Sequence, residues 1–175
     1  VEIMPKAVGT VQIKDKENII LFTYYQHEDI SYRLSKDYSN VKGIQVDFTN
    51  SSSVDAFVEF LATEQIDVLV NNAYIGNPIG TYFHKTDSKD YLAAFQNNVL
   101  PLIKVTQTCI IGMRKRKFGK IVNIINSYLI DVPPTGFSVY TATKAYIRQL
   151  SRSISREYGR FNITSNCVLP DFMNT

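Results

Sequence analysis

Three side chains in the second half of the chain could act together on a carbonyl group. Tyr140 and Lys144 are four residues apart in a segment with helical periodicity, so both project from one helix face about a turn apart. An ammonium group beside a phenol lowers the pKa of the tyrosine, which could then exchange a proton with a substrate oxygen. Ser127 could hold the same oxygen by a hydrogen bond. Taken alone, a Tyr-x-x-x-Lys pair more often belongs to ordinary helix packing, and Ser127 could simply form a turn.

The elements that must position these side chains alternate between strands and helices. Short β-branched apolar runs predict buried strands over residues 18–24, 42–48, 66–72, 119–125 and 162–169. Helical periodicity predicts helices over 52–64, 89–117 and 138–159, with Pro101 as a kink in the second and Gly159 as the stop of the third. This alternation predicts an α/β fold with a parallel sheet, in a single domain over 1–175 in which 1–17 stay unassigned.

Polar residues come at the ends of three of these apolar runs. They are Asp47, Asn71 and Ser127. In open parallel sheets, ligands bind beyond the carboxyl ends of the strands, so this position suits a binding or catalytic role. Two of the three also have a structural interpretation, because Asn71 could pair buried polar groups between strands and Asp47 could cap a helix.

Composition argues against several other classes of protein. A chain of 175 residues that is 45% hydrophobic can bury the core of a globular domain, and a net charge of +3 is well short of a nucleic-acid-binding face. Cys109 and Cys167 have no partner at ligand spacing, which predicts neither a metal site nor a disulfide and favours the cytoplasm. The longest apolar run contains Lys104, so we expect no membrane span, and we expect no secretory signal.

Motifs along the chain resemble, in order, those of the short-chain dehydrogenase/reductase family. DVLVNNA (67–73) resembles that family's Asn-Asn-Ala-Gly segment, and GKIVNIINS (119–127) with YTATKAY (140–146) resembles its serine strand and Tyr-x-x-x-Lys helix. VDFTN (46–50), FQNNVLPL around Asn98 and VLPDFMNT (168–175) resemble its adenine, helix-asparagine and Pro-Gly-x-x-x-Thr segments. The resemblance covers 18–175 and is closest to 3-oxoacyl carrier-protein reductases. It implies a Rossmann-type doubly wound parallel sheet.

The resemblance also implies a role for each matching residue. Tyr140 would be the general acid, and Lys144 would bind the nicotinamide ribose and lower the tyrosine pKa. Ser127 would orient the substrate carbonyl, and Asn98 would hold a proton-relay water. The remaining cofactor contacts would come from Asp47, Phe48, Asn71, Ala73, Pro170 and Thr175.

Four departures from the family pattern stand out. Gly9 is the only glycine before Gly43, so the family's N-terminal glycine-rich turn has no counterpart, and the C-terminal lid and last strand are not seen either. Tyr74 and Asp171 each replace a glycine, and Ser127 comes one position late, with Asn126 in the skipped place. We expect the chain to be part of a longer protein; the rival explanation is that the glycine turn is lost and dinucleotide binding with it.

Two functions follow from the resemblance. The first is NAD(P)H-dependent reduction of a ketone or 3-oxoacyl thioester, small or bound to an acyl carrier protein. The alternative is a non-catalytic or half-active subunit that pairs with a complete homologue. An acidic residue at the end of the predicted strand over 18–24 would bind the ribose hydroxyls of NAD. The first acid after this strand comes only after Tyr25, Gln26 and His27, which slightly favours NADP(H) over NAD(H). The resemblance implies a homo-oligomer, or a hetero-oligomer with a homologue, formed through helices 89–117 and 138–159, and the basic run 114–117 with Arg160 could dock an acidic carrier or be a solvated helix end.

Overall fold

Five apolar runs of the sequence form parallel strands in the computed structural model, which describes residues 17–26, 28–76 and 80–171. The chain divides after Asp47 into two units. The first unit holds a pair of parallel strands, and the second holds three. The predicted α/β class with parallel strands is confirmed, whereas the predicted single domain stays a prediction.

The first unit contains a helix that the sequence pattern did not predict. Its elements are β1 (Ile20–Tyr24), α1 (Glu28–Asp37) and β2 (Val41–Gln45). The two strands run in parallel register from Ile20 opposite Val41 to Tyr24 opposite Gln45. Helix α1 packs closely on β2, because a Cβ atom at Gly43 would collide with the Ser31 side chain. This close approach explains the glycine within a strand.

The second unit places β4 in the middle of its sheet, in the order β3-β4-β5. Parallel register pairs Val68 of β3 with Lys120 of β4, and Gly119 of β4 with Ile163 of β5. Its strands are β3 (Val68–Asn71), β4 (Gly119–Ile124) and β5 (Ile163–Val168), and its helices are α2 (Ser51–Thr63), α3 (Ser88–Ala94), α4 (Leu100–Arg116) and α5 (Ser138–Tyr158). Short 3-10 turns occupy Phe83–Lys85, Ser127–Leu129 and Gly159–Phe161.

Helix ends follow ordinary capping chemistry, with two differences from expectation. Asn50 caps α2 by accepting from the Ser52 and Ser53 amides at 2.9 and 3.3 Å, so the cap is Asn50 and not Asp47. After α5 the chain forms a 3-10 turn beginning at Gly159, and the left-handed residue is Asn162, with φ 57°. Gly159 therefore marks the end of α5 without the left-handed conformation expected of a glycine stop.

The helix predicted over 89–117 is interrupted one turn before its proline. Helix α3 leads into a π-helical turn over Phe95–Val99, and α4 begins at Leu100 with Pro101 in its first turn. A proline has no N–H to donate and fits best at a helix start, so the wide turn lets the chain restart around it. The kink predicted at Pro101 stays a prediction, because Pro101 lies in the first turn of α4 and the irregular turn, which contains Asn98, precedes it.

Helix α5 carries its buried residues at helical spacing along one face. They are Val139, Thr143, Lys144, Ile147 and Ser151. Ile147 packs in a core cluster with Val99 and Ile125. A lysine on this apolar stripe is unusual, because burying an ammonium group is costly unless it is paired.

Among the described residues, no helix is long and apolar enough to cross a bilayer.

Candidate active site

Tyr140 and Lys144 lie one turn apart on α5, as their spacing predicts, and α5 holds them beside the carboxyl end of β4. The Lys144 Nζ donates to the carbonyl oxygen of Ile124, the last residue of β4, at 2.8 Å. It lies 5.7 Å from the centroid of the Tyr140 ring. Lys144 is only 4% exposed, and no carboxylate of the described residues lies within ion-pair distance of it.

Burial sets the ionisation of both residues. It lowers the pKa of Lys144 from 10.5 to about 8. It also raises the pKa of Tyr140 above its usual value of 10.0, an effect that the nearby Asn126 amide opposes and Tyr128 reinforces. The pKa of Tyr140 is therefore raised overall in this structure, because desolvation of the phenolate outweighs the influences that lower it. The lowering effect expected of Lys144 stays a prediction. Tyr140 is a neutral phenol near neutral pH, with its proton in place.

Tyr74 is a member of the site that the sequence marked only as a departure from the family pattern. Its ring meets that of Tyr140 edge to face, with centroids 4.9 Å apart. The Lys144 Nζ also lies 4.9 Å from the Tyr74 ring centroid, within cation–π range. Burial, and secondly the proximity of Tyr140, raise the pKa of the Tyr74 phenol to about 12. Tyr74 thus covers both residues of the Tyr-x-x-x-Lys pair.

Ser127 opens the 3-10 turn that follows β4, and it is buried. Its hydroxyl donates to the Asp171 Oδ1 at 3.2 Å, and its amide donates to the Pro170 carbonyl at 3.2 Å. The structure therefore joins Ser127 and Pro170, which were predicted separately, and adds Asp171 to the site. The link spans 44 residues of sequence, so no local pattern could have predicted it.

Asn126, which directly precedes Ser127, is buried, and its main-chain carbonyl accepts a hydrogen bond from the Leu129 amide at 3.5 Å. It is 7% exposed, and neither its Nδ2 nor its Oδ1 has a partner in the part of the chain that the structure describes. The amide nevertheless lies close enough to the Tyr140 phenol to lower its pKa. Sequence reasoning noted Asn126 only as the residue in a skipped place, and its unmet hydrogen-bonding capacity became visible only with the fold.

Asn98 uses its side chain to hold the segment that follows β3. Its Oδ1 accepts from the Ile75 amide at 2.6 Å, and its Nδ2 donates to the Ile75 and Ala94 carbonyls at 3.1 and 3.0 Å. Ile75 follows Tyr74 directly, so Asn98 fixes the backbone that carries the Tyr74 ring. These bonds occupy the Asn98 side chain, and its role in holding a relay water stays a prediction.

Asn71 donates hydrogen bonds into a polar cluster that includes Thr106 and Asn123. Its Nδ2 donates to Thr106 Oγ1 at 3.2 Å and to Asn123 Oδ1 at 2.9 Å. This matches the structural interpretation, in which Asn71 pairs polar groups between strands. Ala73, two residues later, is exposed, so its backbone is open to a ligand.

The remaining predicted cofactor residues are distributed over both units. Asp47 comes two residues after the end of β2 and closes the described part of the first unit. Phe48 begins the second unit and packs edge to face on Phe57, with ring centroids 6.4 Å apart. Thr175 lies outside the described residues. Their proposed contacts with a dinucleotide stay predictions.

Comparison with known proteins shows the family. The sequence model of the short chain dehydrogenase family matches residues 11–175. The chain is 32% identical over 136 residues to a very-long-chain 3-oxoacyl-CoA reductase-like protein of Arabidopsis thaliana, covering 77% of this chain and 44% of that protein. It is 33% identical over 146 residues to the acetoacetyl-CoA reductase of Shinella zoogloeoides, covering 81% and 59%.

Among solved structures, a short-chain dehydrogenase from Streptomyces avermitilis superposes with a TM-score of 0.80 at 28% identity, over 91% of this chain and 58% of that one. This likeness confirms the Rossmann-type fold. The chain spans about half the length of the curated relatives that it matches. The chain belongs to the short-chain dehydrogenase/reductase family of oxidoreductases.

Proposed function

We propose that the protein reduces a ketone or 3-oxoacyl thioester to the alcohol with a reduced nicotinamide cofactor, and that Tyr140 is the general acid. The observation that carries the proposal is the buried, carboxylate-free ammonium of Lys144 beside a protonated phenol. Strongly perturbed ionisable groups kept side by side are typical of functional sites, because a structural core gains little from a buried charge.

The residues at this end of the sheet suit the nicotinamide half of such a cofactor. The Lys144 ammonium has three N–H donors, and one hydrogen bond, to Ile124, engages it within the described structure. Its other donors are free to bind ribose hydroxyls. When bound, the reduced nicotinamide supplies a hydride to the carbonyl carbon. Ala73 and Pro170 lie near this end of the sheet, after β3 and β5, where family resemblance places cofactor contacts.

Proton delivery is the contribution of the chain itself. As the carbonyl carbon gains hydride, its oxygen gains the phenolic proton of Tyr140, which leaves a phenolate. That phenolate lies beside the charged Lys144, which stabilises it by electrostatic attraction. A lysine with a pKa of about 8 can then return a proton to the tyrosine. The protein thereby completes the alcohol and restores its acid.

The substrate class rests on the relatives and on the aromatic lining of the site. Relatives carry the names acetoacetyl-CoA reductase and 3-oxoacyl-[acyl-carrier-protein] reductase, the latter at 27% identity in Vibrio cholerae. Phe137 meets the Tyr140 ring edge to face at 6.3 Å and the Tyr128 ring at 5.8 Å. This apolar wall suits an acyl chain, so we propose a 3-oxoacyl thioester and NADPH as the preferred pair.

The basic run at the end of α4 supports carrier docking only in part. Arg116 forms an ion pair with Asp67 at 3.1 Å and donates to the Ile66 carbonyl, which gives it a structural role. Arg114 and Arg160 both stack over Phe161, at 5.1 and 4.9 Å from the ring centroid.

We propose homodimerisation through α4 and α5, whose exposed apolar residues include Ile111.

A second candidate, a reductase-like subunit without its own activity, is favoured by two observations. The Tyr74 ring covers Lys144 and Tyr140 where the family has a glycine, and Asp171 occupies the Ser127 hydroxyl. Such a subunit would pair with a complete homologue.

Titration of the folded, full-length protein with NADPH and NADH tests the choice. Saturable quenching of the protein fluorescence at micromolar nucleotide, followed by NADPH-dependent reduction of an acetoacetyl thioester, would support the proposal that the protein is an active reductase. A folded protein that binds neither nucleotide would overturn it and leave the inactive subunit in front.

A further inference from the structure

Tyr140, the proposed general acid, is the third residue of α5 and so lies in its first turn. The first turn of a helix frays most easily, because its N–H groups have no partners within the helix. The N-cap residue of α5 is Phe137, whose side chain has no oxygen to accept hydrogen bonds from these groups, as a serine or asparagine cap would. The position of the Tyr140 phenol therefore needs support from contacts outside α5.

One such contact is a hydrogen bond between two hydroxyl groups. The Tyr91 hydroxyl oxygen and the Ser138 Oγ lie 2.7 Å apart, and the two residues are 47 positions apart in sequence. Ser138 is the first residue of α5, two positions before Tyr140. Both side chains are half-buried, so little water competes for the bond. The bond thus ties α3 to the weakly capped end of α5.

Helix α3 gives Tyr91 a firm support. Asp87 caps this helix by accepting from the Lys89 amide at 2.8 Å. The Tyr91 ring meets the Phe83 ring edge to face, with centroids 6.4 Å apart. At its other end α3 continues directly into the π turn that contains the buried Asn98. The Tyr91 hydroxyl is therefore carried by a helix that is fixed at both ends.

The loop that leads into α5 is held at a second point, by its backbone. Gly136, two positions before Ser138, has a φ of 88°, which favours glycine. A Cβ atom at Gly136 would lie 2.5 Å from the carbonyl carbon of Gly80, so the two backbones are in close contact. The segment 80–91 thus contacts the start of α5 twice, through the backbone at Gly80 and through the hydroxyl of Tyr91.

We propose that Tyr91 is a positioning residue, whose hydroxyl fixes the first turn of α5 through Ser138 and thereby sets the position of the Tyr140 phenol for proton transfer. The inference rests on the proposed reductase function. Proton transfer requires the phenol within hydrogen-bond distance of the substrate oxygen, and a misplacement of about 1 Å can lower a rate about 100-fold. Loss of one of the two contacts should displace the phenol by less than that.

Tyr91→Phe in the full-length protein tests this role, because it removes the hydroxyl and keeps the ring. The single-turnover rate of NADPH-dependent reduction should fall about tenfold. The KM for the thioester and the Kd for NADPH should change little, since no proposed contact with either is altered. Ser138→Ala should lose the same factor, and the double variant should lose no more than either single variant, because all three remove one bond. Ser138→Thr, which keeps a hydroxyl, should stay near the wild-type rate.

Ser165→Ala is the matched control, because it removes a bond of the same kind from the same helix. The Ser151 Oγ and the Ser165 Oγ lie 2.8 Å apart, and Ser151 is about three turns along α5 from Tyr140. Both Tyr91→Phe and Ser165→Ala should lower Tm by about 3 °C. Only Tyr91→Phe should slow the reaction.

Three results would overturn the role of Tyr91. They are a wild-type rate in Tyr91→Phe, an equal loss of rate in Ser165→Ala, and additive losses in the double variant. The second would trace the lost rate to stability alone. A wild-type protein that binds no nucleotide would contradict the reductase function and this role together. Wild-type reduction that Tyr91→Phe leaves unchanged would overturn only the role of Tyr91.

Discussion

Two buried polar clusters lie at and just beyond the end of strand β4, and they differ in how many of their side-chain polar atoms have hydrogen-bond partners. In the first, which we call the paired cluster, Asn123 donates to Ser151, Ser165 and the Asn166 carbonyl and accepts from Asn71. The second, the site cluster, consists of Tyr74, Asn126, Tyr140 and Lys144. Its amide is unbonded and its lysine has no carboxylate partner among the described residues.

The difference between the clusters indicates that the paired cluster stabilises the fold and that the site cluster is arranged for a ligand. Asn123 and Asn126 are three residues apart and similarly buried, at 2% and 7% exposed. The paired cluster satisfies its donors internally, so it fixes β3, β4, β5 and α5 together. The site cluster retains unmet donors and shifted pKa values, which weaken the fold and prepare the site for a ligand. Proteins commonly retain such local cost where activity needs it.

The largest expected effect on stability comes from Lys144→Met. Burial lowers the lysine pKa from 10.5 to about 8, so the charged form destabilises the folded protein near neutral pH. Removing that charge should raise the free energy of unfolding by up to about 3 kcal/mol, less the lost bond to Ile124. Urea denaturation measures it, with Lys120→Met on β4 as the control. A less stable Lys144→Met protein would contradict the account.

The same lysine predicts a pH dependence with a definite sign. Between about pH 8 and pH 9 the unfolded chain binds the lysine proton and the folded protein does not, so wild-type stability should rise with pH. Above pH 9 the pKa of the Cys109 thiol, which burial raises to about 11, adds the opposite slope, and above pH 10 the raised pKa of Tyr74 does the same. Lys144→Met should show no rise in this window. A flat wild-type curve would show that Lys144 titrates normally.

A smaller loss is expected when the paired cluster is broken. Asn123→Ala removes the acceptor of the Asn71 amide and the donor to the Ser151 and Ser165 hydroxyls, and the loss of these partly buried hydrogen bonds should cost about 2 kcal/mol. Thermal or urea unfolding measures this change, and the exposed Asn166→Ala serves as the control. If Asn123→Ala were as stable as the wild type, the contrast between the two clusters would disappear.

The smallest effect concerns the ring that covers the site. Tyr74→Gly uncovers the Lys144 ammonium, whose cation–π contact is worth about 1 kcal/mol, so NADPH should bind about fivefold tighter. Tyr74→Phe keeps the ring and should leave the Kd unchanged. Nucleotide fluorescence gives both values. Weaker binding by Tyr74→Gly would mean that Tyr74 belongs to the cofactor site and does not obstruct it.

The sequence was sufficient for the strands, and less so for the helices. Runs such as GKIVNI are β-branched and apolar, so β4 was predicted within one residue of its end. Helix α1 was missed because EDISYRLSKD is short and polar on average, with few apolar residues to indicate a helix. The π turn before Pro101 could be expected as an irregularity but not in its form, which depends on Asn98 and its bonds to Ile75.

The part of the site formed by residues close in sequence could be predicted, whereas the contacts between residues distant in sequence could not. Four-residue spacing is enough to place Tyr140 and Lys144 on one face of α5. The rise that burial causes in the Tyr140 pKa was not predicted, because burial depends on elements far away in sequence. The contacts of Ser127 with Asp171 and of Tyr74 with Tyr140 join residues distant in the chain, and only the fold brings them together.

A single-turnover reaction tests the central claim, that Tyr140 delivers the proton in a nicotinamide-dependent reduction. Full-length wild-type protein and Tyr140→Phe would be saturated with NADPH and mixed with an acetoacetyl thioester while nicotinamide absorbance is followed. We expect equal NADPH affinity and a rate at least about 100-fold lower in Tyr140→Phe. A Tyr140→Phe protein that oxidises NADPH at the wild-type rate would contradict it.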